Sequence, residues 1–344
     1  MTSPHGRVSR PPHLQPQFVL PASAQNTMKH LPSFVEHGGE LACRHPADAI
    51  NSRLYGFVVD ADHELLNRYC ERMFNRPSGN TEKWRAAGNQ VMLNFVDIPT
   101  MGSTDPLDRR IGVCAEREAA IWFPVVDHSN GRFAWAVPYM FVDSALALAG
   151  GREVYGFPKQ MGTLEVPHHD LSPSRLQVDT VTLATHTPTS VAENCTVIKV
   201  ERDGDPVQLG TPWSHARHAL AEIERALQQS LTGTKHDTAA MQFAVQMVEE
   251  NLPMLLLKQF RDAHQQDAAC YQAVLSVDMA VTRFRTGGLL PDDYRVTFAD
   301  LAGEPMSREL GVSATCRPRL SFWMDFDFVV RLAHILWEST GVRG

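Results

Sequence analysis

Residues 151–159 read Gly-Arg-Glu-Val-Tyr-Gly-Phe-Pro-Lys and follow an apolar run from Tyr139 to Leu148. The stretch places one lysine, Lys159, directly behind a Phe-Pro corner. A lysine held against apolar side chains loses solvation of its ammonium form, which lowers its pKa and frees the amine. A free amine can condense with a ketone to form a Schiff base. The alternative is a solvated loop lysine that happens to follow a proline, and a lone lysine favours that alternative.

The longer segment Gly151–Gly162, GREVYGFPKQMG, resembles the Schiff-base lysine segment of the acetoacetate decarboxylase family. The family pattern is Gly-Arg-Glu, two or three mostly apolar residues, an aromatic-Pro-Lys triplet, and then usually a second lysine and a glycine. The match holds through Lys159 and breaks at Gln160. The resemblance extends over about residues 53–298, with a departure in the helical region at about 205–250. It implies that Lys159 forms the imine and that the chain assembles as a homo-oligomer.

Many strand-like segments and few helices alternate along the chain. This pattern predicts an α+β fold with an antiparallel β-barrel or sheet core decorated with helices, which the resemblance also implies. The predicted strands include 54–59, 90–98, 119–126, 132–141, 176–185, 195–201, 270–285 and 294–298. The predicted helices are at about 62–75, 143–149, 211–231, 238–250 and 322–337.

The domain organisation follows from composition. Residues 1–40 are rich in Pro, Ser and Gln, and we expect a disordered N-terminal segment there. Residues 41–344 are predicted to form a single acetoacetate decarboxylase-like domain with a helical insertion at about 205–250. The N-terminus lacks the apolar region of a signal peptide, and the six cysteines form no CxxC pair. Both observations favour a cytoplasmic location.

The net charge and the motifs of the sequence exclude several classes of binding partner. A net charge of −7 argues against nucleic acid or an anionic membrane surface as the main partner. No apolar run reaches the roughly 18 residues of a transmembrane helix. The sequence has no nucleotide-binding glycine motif and no zinc-ligand spacing, so no cofactor and no metal are predicted. The predicted partner is a small-molecule keto acid.

Two glutamates lie two residues apart in a predicted strand. Alternation along a strand puts Glu116 and Glu118 on the same face. For Glu116 the preferred interpretation is a solvated strand face with Arg117 opposite. The family has a glutamate six residues before a Pro-Val pair, and Glu118 precedes Pro124 by that interval. The resemblance therefore implies that Glu118 is an acid/base or orienting group that faces the imine, with its pKa raised by a dry pocket.

Arg53 lies in the family-like setting Arg-x-Tyr. The resemblance implies that its guanidinium grips a substrate carboxylate or positions the glutamate, and a surface arginine is the alternative. Asn94 stands where the family often has another glutamate, and Gln160 stands where it has a second lysine. Two charged partners are therefore neutral amides here, and desolvation alone would have to keep Lys159 reactive.

The remaining pocket residues are predicted around this lysine. Met140 matches an apolar pocket position of the family, and Phe157 forms the corner before the lysine. Tyr155 is predicted to bring a phenol near the imine. Ordinary core packing is the alternative for Met140 and for Tyr155.

The predicted activity is a Schiff-base lyase reaction in which Lys159 attacks a keto acid, with decarboxylation of a β-keto acid as the first choice. The main alternative is an aldolase-dehydratase, in which a pyruvate-type enamine condenses with an aldehyde. Asn94 and Gln160 motivate that alternative. They also motivate a third one, a catalytically silent relative that binds a small acid.

Overall fold

The computed structural model describes residues 33–35, 44–80, 82–168, 170–204, 209–230, 238–291 and 293–339. The disorder expected for residues 1–40 concerns a segment that lies almost wholly outside these described residues. Part of the insertion predicted at about 205–250 lies outside them as well. The fold given below is that of the unit Leu41–Gly344.

Strands dominate the described part of the chain. They are β1 Ala47–Asp60, β2 Trp84–Ala86, β3 Gln90–Ser103, β4 Cys114–Asp127, β5 Phe133–Val142, β6 Lys159–Met161, β7 Thr163–Glu165, β8 Arg175–Thr182, β9 Glu193–Arg202, β10 Asn251–Arg261, β11 Ala269–Leu289, β12 Tyr294–Phe298, β13 Thr315–Cys316, β14 Leu320–Val330 and β15 His334–Glu338.

Most of the helices in the described part of the chain are short. They are α1 His63–Cys70, α2 Arg76–Ser78, α3 Ala145–Gly150, α4 Ala216–Ser230, α5 Thr238–Val248 and α6 Met306–Leu310, with π-helical turns at Glu71–Asn75 and Gly151–Tyr155 and a 3₁₀ turn at Asp108–Ile111. The predicted α+β fold is confirmed. None of the helices in the described part of the chain has the length and apolar character that crossing a bilayer requires.

Seven strands close into a ring. Their order is β4, β3, β1, β14, β11, β10 and β5, and β5 pairs again with β4. All these neighbours are antiparallel except β10 and β5, which run parallel. Strand β6 extends the sheet by pairing in parallel with β5. A second sheet has the order β13, β12, β9, β8 and β7.

Side-chain alternation divides the core between the two faces of the ring. On β1, Tyr55 and Phe57 belong to a cluster that includes residues of the second sheet. Leu54 and Val58 belong to another cluster, which includes residues of α4 and α5. Successive strand residues point to opposite faces, so one strand supplies both clusters.

The prediction of a final helix at about 322–337 is wrong, because this segment forms strands β14 and β15. Strand β14 lies between β1 and β11 in the ring. Its apolar residues recur with a period of two, and the acidic residues between them make ion pairs: Asp325 with Arg53, and Asp327 with Arg285. High apolar content suggested a helix, whereas the period of two is that of a strand.

Candidate active site

Lys159 begins strand β6, opposite Met140 of β5. The residue is 6% exposed. Its backbone N–H donates to the Phe157 carbonyl at 2.7 Å, and its own carbonyl accepts from Nη1 of Arg152 at 2.9 Å. The Phe-Pro corner is therefore held by hydrogen bonds on both sides of the lysine.

Two glycines of this segment allow close packing, Gly151 against the side chain of Lys159 and Gly156 against the backbone of strand β10. A Cβ added at Gly151 would lie 2.6 Å from Cδ and 2.8 Å from Cε of Lys159. Gly156 has a φ of +78°, and a Cβ there would lie 2.5 Å from the Cα of Lys258. Only glycine combines a positive φ with such close approach to backbone, which explains Gly156. At Gly151 the φ is −65°, and the crowding is with the side chain of Lys159.

Glu116 is the direct partner of the lysine. Nζ of Lys159 donates to Oε1 of Glu116 at 2.6 Å, and Glu116 is 2% exposed. The interpretation of Glu116 as a solvated strand face is therefore wrong. Alternation correctly put Glu116 and Glu118 on one face, but folding covers that face and leaves Arg117, on the other face, exposed.

The sequence predicted that Lys159 is a free amine, but the surrounding charges favour its protonated form. Burial lowers the pKa of Lys159, but the negative charges of Glu116 and Glu118 outweigh it and raise the pKa above its ordinary value. The lysine is therefore an ammonium in an ion pair in the resting protein. Burial, followed by the charge of Glu116, raises the pKa of Glu118 to about 8 against the opposing charge of Lys159. Near neutral pH Glu118 is thus mainly protonated and can donate a proton.

A cavity with ≈ 750 Å³ of empty space, including its open mouth, adjoins these three groups. Most of its lining is apolar. The apolar side chains are Ile98, Met101, Trp122, Met140, Leu146, Ala147, Phe157, Met279, Phe328 and Val330. The polar ones are His45, Cys114, Glu116, Glu118, Tyr155 and Lys159. The structure thus brings the predicted residues Lys159, Glu118, Met140, Tyr155 and Phe157 together around one space.

The phenol of Tyr155 does not point to an imine. Its hydroxyl donates to the carbonyl of Arg331 at 2.9 Å. The ring packs edge-to-face against His45, with the centroids 4.8 Å apart. Tyr155 therefore contributes a cavity wall and orients His45.

His45 is a cavity residue that sequence reasoning missed. Its Nδ1 is buried and has no hydrogen-bond partner. Burial, followed by the charge of Lys159, lowers the pKa of His45 to about 4, so the imidazole is neutral at physiological pH. A single histidine ahead of a proline carries no signal that could have placed it here, because its position depends on contacts distant in sequence.

Three predicted site residues lie outside the cavity lining. Arg53 makes a bidentate ion pair with Asp325, in which Nε donates to Oδ1 at 2.7 Å and Nη2 donates to Oδ2 at 2.6 Å. Its Nη1 donates to the carbonyl of His168 at 2.6 Å. Because all three of these nitrogens already bind protein atoms, the structure does not support a grip of Arg53 on a substrate carboxylate.

The two neutral amides have local roles. The side chain of Gln160 donates to Glu304 at 3.2 Å, because alternation in β6 turns it away from the face of Lys159. Asn94 is fully buried, and its amide donates to the carbonyl of Met92 at 3.3 Å. Neither amide lines the cavity, in contrast to the prediction that both belong to the pocket.

Among the residues that the structure describes, no group of three or more His, Cys, Asp or Glu side chains is arranged to hold a metal ion.

The sequence matches the family model described as acetoacetate decarboxylase over residues 85–327. The chain belongs to the acetoacetate decarboxylase family. The matched region contains Glu116, Glu118 and Lys159, whereas His45 precedes it. No curated protein sequence is significantly similar to the chain.

Solved structures of acetoacetate decarboxylases have the same fold. The enzyme from Legionella pneumophila subsp. pneumophila str. Philadelphia 1 is 13% identical, with a TM-score of 0.57 over 95% of this chain and 100% of that one. A second acetoacetate decarboxylase is 14% identical, with a TM-score of 0.54 over 88% of this chain and 93% of that one. The enduracididine biosynthesis enzyme MppR complexed with pyruvate is 13% identical, with a TM-score of 0.53 over 85% and 90%. At these identities the likeness concerns the fold.

Proposed function

We propose that this member of the acetoacetate decarboxylase family is a Schiff-base lyase that decarboxylates a β-keto acid through an imine on Lys159. The observation that carries the proposal is the buried group formed by Lys159, Glu116 and Glu118 at the wall of an apolar cavity. It offers a nucleophile, a base and an acid in one place, which are the groups that imine formation requires.

Imine formation begins with a proton transfer. The ammonium of Lys159 gives a proton to Oε1 of Glu116, which lies 2.6 Å away. The free amine then attacks the keto carbon of the substrate. Glu118, protonated below about pH 8, donates a proton to the departing hydroxyl, which leaves as water. The product is a protonated imine that can accept an electron pair.

Decarboxylation follows at this imine. The bond between the α-carbon and the carboxylate breaks, CO₂ leaves, and the bonding electrons move into the imine to form an enamine. A proton from water, or from Glu118 after water has reprotonated it, then reaches the α-carbon, and hydrolysis of the imine releases the ketone. The carboxylate loses its charge in this step, so an apolar wall disfavours the reactant more than the transition state.

The cavity favours decarboxylation over the aldolase-dehydratase alternative. Pyruvate, which MppR binds, would keep its carboxylate throughout such a condensation. Among the described residues that line the cavity there is no arginine, and the ammonium of Lys159 already pairs with Glu116. A carboxylate that persists would thus lack a cationic partner, whereas one that leaves as CO₂ does not need a strong one.

Family membership supports a lyase-type enzyme, and a small keto acid remains the proposed partner. Assembly as a homo-oligomer and a cytoplasmic location stay predictions.

The experiment is intact-protein mass spectrometry after incubation with acetoacetate or with pyruvate, each with and without borohydride. We expect a reduced adduct with acetoacetate that maps to Lys159 and disappears in Lys159→Ala. A matched control is Lys258→Ala, because burial lowers the pKa of Lys258 although that lysine does not line the cavity. This control should keep the adduct.

The other outcomes decide between the alternatives. An adduct with pyruvate alone would favour the aldolase-dehydratase. The absence of an adduct with either acid would favour a catalytically silent relative. Loss of the adduct in Lys258→Ala together with its retention in Lys159→Ala would show that Lys258 forms the imine, and this result would refute the proposal.

A further inference from the structure

The charged groups of the cavity are gathered in one place. Among the described residues that line it, Lys159, Glu116 and Glu118 are the only charged side chains, and Nζ of Lys159 lies 2.6 Å from Oε1 of Glu116. All three have a part in the proposed imine chemistry. His45 is neutral at physiological pH, because burial and the charge of Lys159 lower its pKa to about 4. A charged group elsewhere on a substrate would therefore find no further charged partner among these residues.

The cavity follows one face of strand β4. Cys114, Glu116, Glu118 and Trp122 all line it, and they share this face because strand side chains alternate. At a rise of about 3.3 Å per residue, Trp122 lies about 13 Å along the strand from Glu118. The methyl group of acetoacetate, by contrast, ends one bond beyond the keto carbon. The cavity thus continues past the space that acetoacetate needs.

The two ends of this strand face differ in exposure and in polarity. Cys114, at the start of β4, is part-buried. His45 lies near the same end, because Ala47, two residues on, pairs with Ser103 at the end of the antiparallel neighbour β3. Trp122, at the other end, is 3% exposed. The mouth of the cavity therefore lies at the Cys114 end, and its inner end at Trp122 is apolar.

Helix α5 supports the wall at the inner end. The ring of Trp122 packs against Trp135 of β5, with the centroids 6.1 Å apart. Trp135 in turn packs edge-to-face against Phe243 of α5 at 6.1 Å, and its Nε1 donates to Oε1 of Gln246 at 2.5 Å. Trp135 and Phe243 are fully buried. Because protein cores are close-packed, Trp122 has no space to move back into this group, and the cavity ends there.

We propose that the cavity takes β-keto acids with an apolar tail longer than the methyl group of acetoacetate, and that Trp122, supported by α5, limits the length of this tail. The inference rests on the proposed function and names its class of substrate. The tail points inward, because the carboxylate would lose its hydration at the apolar inner end without gaining a partner. The carboxylate therefore faces the mouth, through which CO₂ leaves.

The first test is a series of substrates on the parent protein. The series is acetoacetate, 3-oxohexanoate, 3-oxooctanoate and 3-oxodecanoate, and the readouts are kcat/KM for release of CO₂ and borohydride trapping. Each methylene that enters an apolar site should raise kcat/KM about threefold to fourfold, so 3-oxohexanoate should exceed acetoacetate about tenfold. Beyond the length at which the tail meets Trp122, kcat/KM should fall.

The matched polar substrate is 3-oxoadipate. It has the chain of 3-oxohexanoate, except that a carboxylate replaces the terminal methyl group. We expect its kcat/KM to be at least about 100-fold lower, because a buried carboxylate without a partner costs far more than a methyl group gains. Comparable values for the two acids would show that the tail ends in water at the mouth, and they would overturn the inference.

Two variants test the wall itself. Trp122→Leu removes its ring, and Phe243→Ala removes the support from α5, so both should move the highest kcat/KM to a longer acid of the series. The matched control is Phe123→Leu. Phe123 is the next residue on β4 and is fully buried, but its side chain belongs to the core cluster on the other face. This control should keep the length preference of the parent, although it also truncates a buried aromatic side chain.

The outcomes separate the inference from the proposed function. A parent protein that prefers acetoacetate to every longer acid would overturn the inference and leave the proposed function standing. An equal length preference in Trp122→Leu and Phe123→Leu would overturn the role of the wall. Failure of every acid in the series to be trapped on Lys159 would instead refute the proposed function. The parent series needs no variant, so it decides even where a variant does not fold.

Discussion

The substitution Gly151→Ala tests whether the close approach of the π-helical turn positions Lys159, the proposed nucleophile. Gly151 has φ −65° and ψ −42°, a helical conformation that alanine adopts without strain. The effect of the substitution is therefore steric. The added Cβ would lie 2.6 Å from Cδ and 2.8 Å from Cε of Lys159.

The size of the effect follows from these distances. Carbon atoms pack at about 3.5–4.0 Å, so the side chain of Lys159 has to move by roughly 1 Å. A misplacement of about 1 Å can reduce the rate of a positioned reaction about 10²-fold. We therefore expect the rate of imine formation to fall about 100-fold, which corresponds to about 2.7 kcal/mol of barrier.

The assay is the rate of borohydride trapping with acetoacetate, followed by intact mass, together with kcat/KM for decarboxylation. The matched control is Gly150→Ala. Gly150 precedes Gly151 in the same turn and has φ −58° and ψ −43°, but an added Cβ meets no atom within 4 Å. Gly150 lines the cavity, so this control adds a methyl group to the cavity wall without displacing Lys159, and it should trap acetoacetate much faster than Gly151→Ala. Equal trapping rates for the two alanine variants would refute the steric argument.

Further predictions concern the charged groups. Glu116→Gln should lower the pKa of Lys159, because burial then acts with less opposing negative charge; the pH dependence of amine labelling at Lys159 measures this, and an unchanged profile would contradict the ion pair. In the parent, kcat/KM should fall above about pH 8 as Glu118 loses its proton, and this alkaline limb should disappear in Glu118→Gln. The same group should affect stability: the folded chain keeps the Glu118 proton up to about pH 8 and the unfolded chain only to about 4.5, so the free energy of unfolding should fall as pH rises through that window, less steeply in Glu118→Gln by urea denaturation. Arg53→Met should lower the free energy of unfolding by about 2 kcal/mol, because it leaves the carboxylate of Asp325 without its partner, yet leave trapping of acetoacetate unchanged; a selective loss of trapping would restore the substrate-gripping interpretation.

Part of the site could be predicted from local sequence. The segment Gly151–Gly162 indicated the lysine and the family, because the motif is a continuous stretch of sequence in which Gly151 packs directly on the side chain of Lys159. The spacing of Glu116 and Glu118 placed both carboxylates on one face, because alternation is a property of the strand itself. The many strand-like segments with few helices between them predicted the class of fold, because strand periodicity is also local.

The partners of these residues could not be predicted in this way. Alternation says which side chains share a face, but the closure of seven strands into a ring decides which face is covered. That closure buried Glu116 against Lys159. It also placed Arg53 beside Asp325, across a pairing of strands 272 residues apart in sequence.

The sequence by itself determined the resemblance to the family around Lys159, the shared strand face of Glu116 and Glu118, and the strand-rich fold, because these depend on residue type and on short-range periodicity. Tertiary structure alone decided that Lys159 is protonated, that Arg53 and Gln160 lie outside the cavity lining, and that His45 lines the cavity. The reason is that pKa values and hydrogen-bond partners depend on distances of a few ångströms between residues far apart in the chain, and long-range strand register sets those distances.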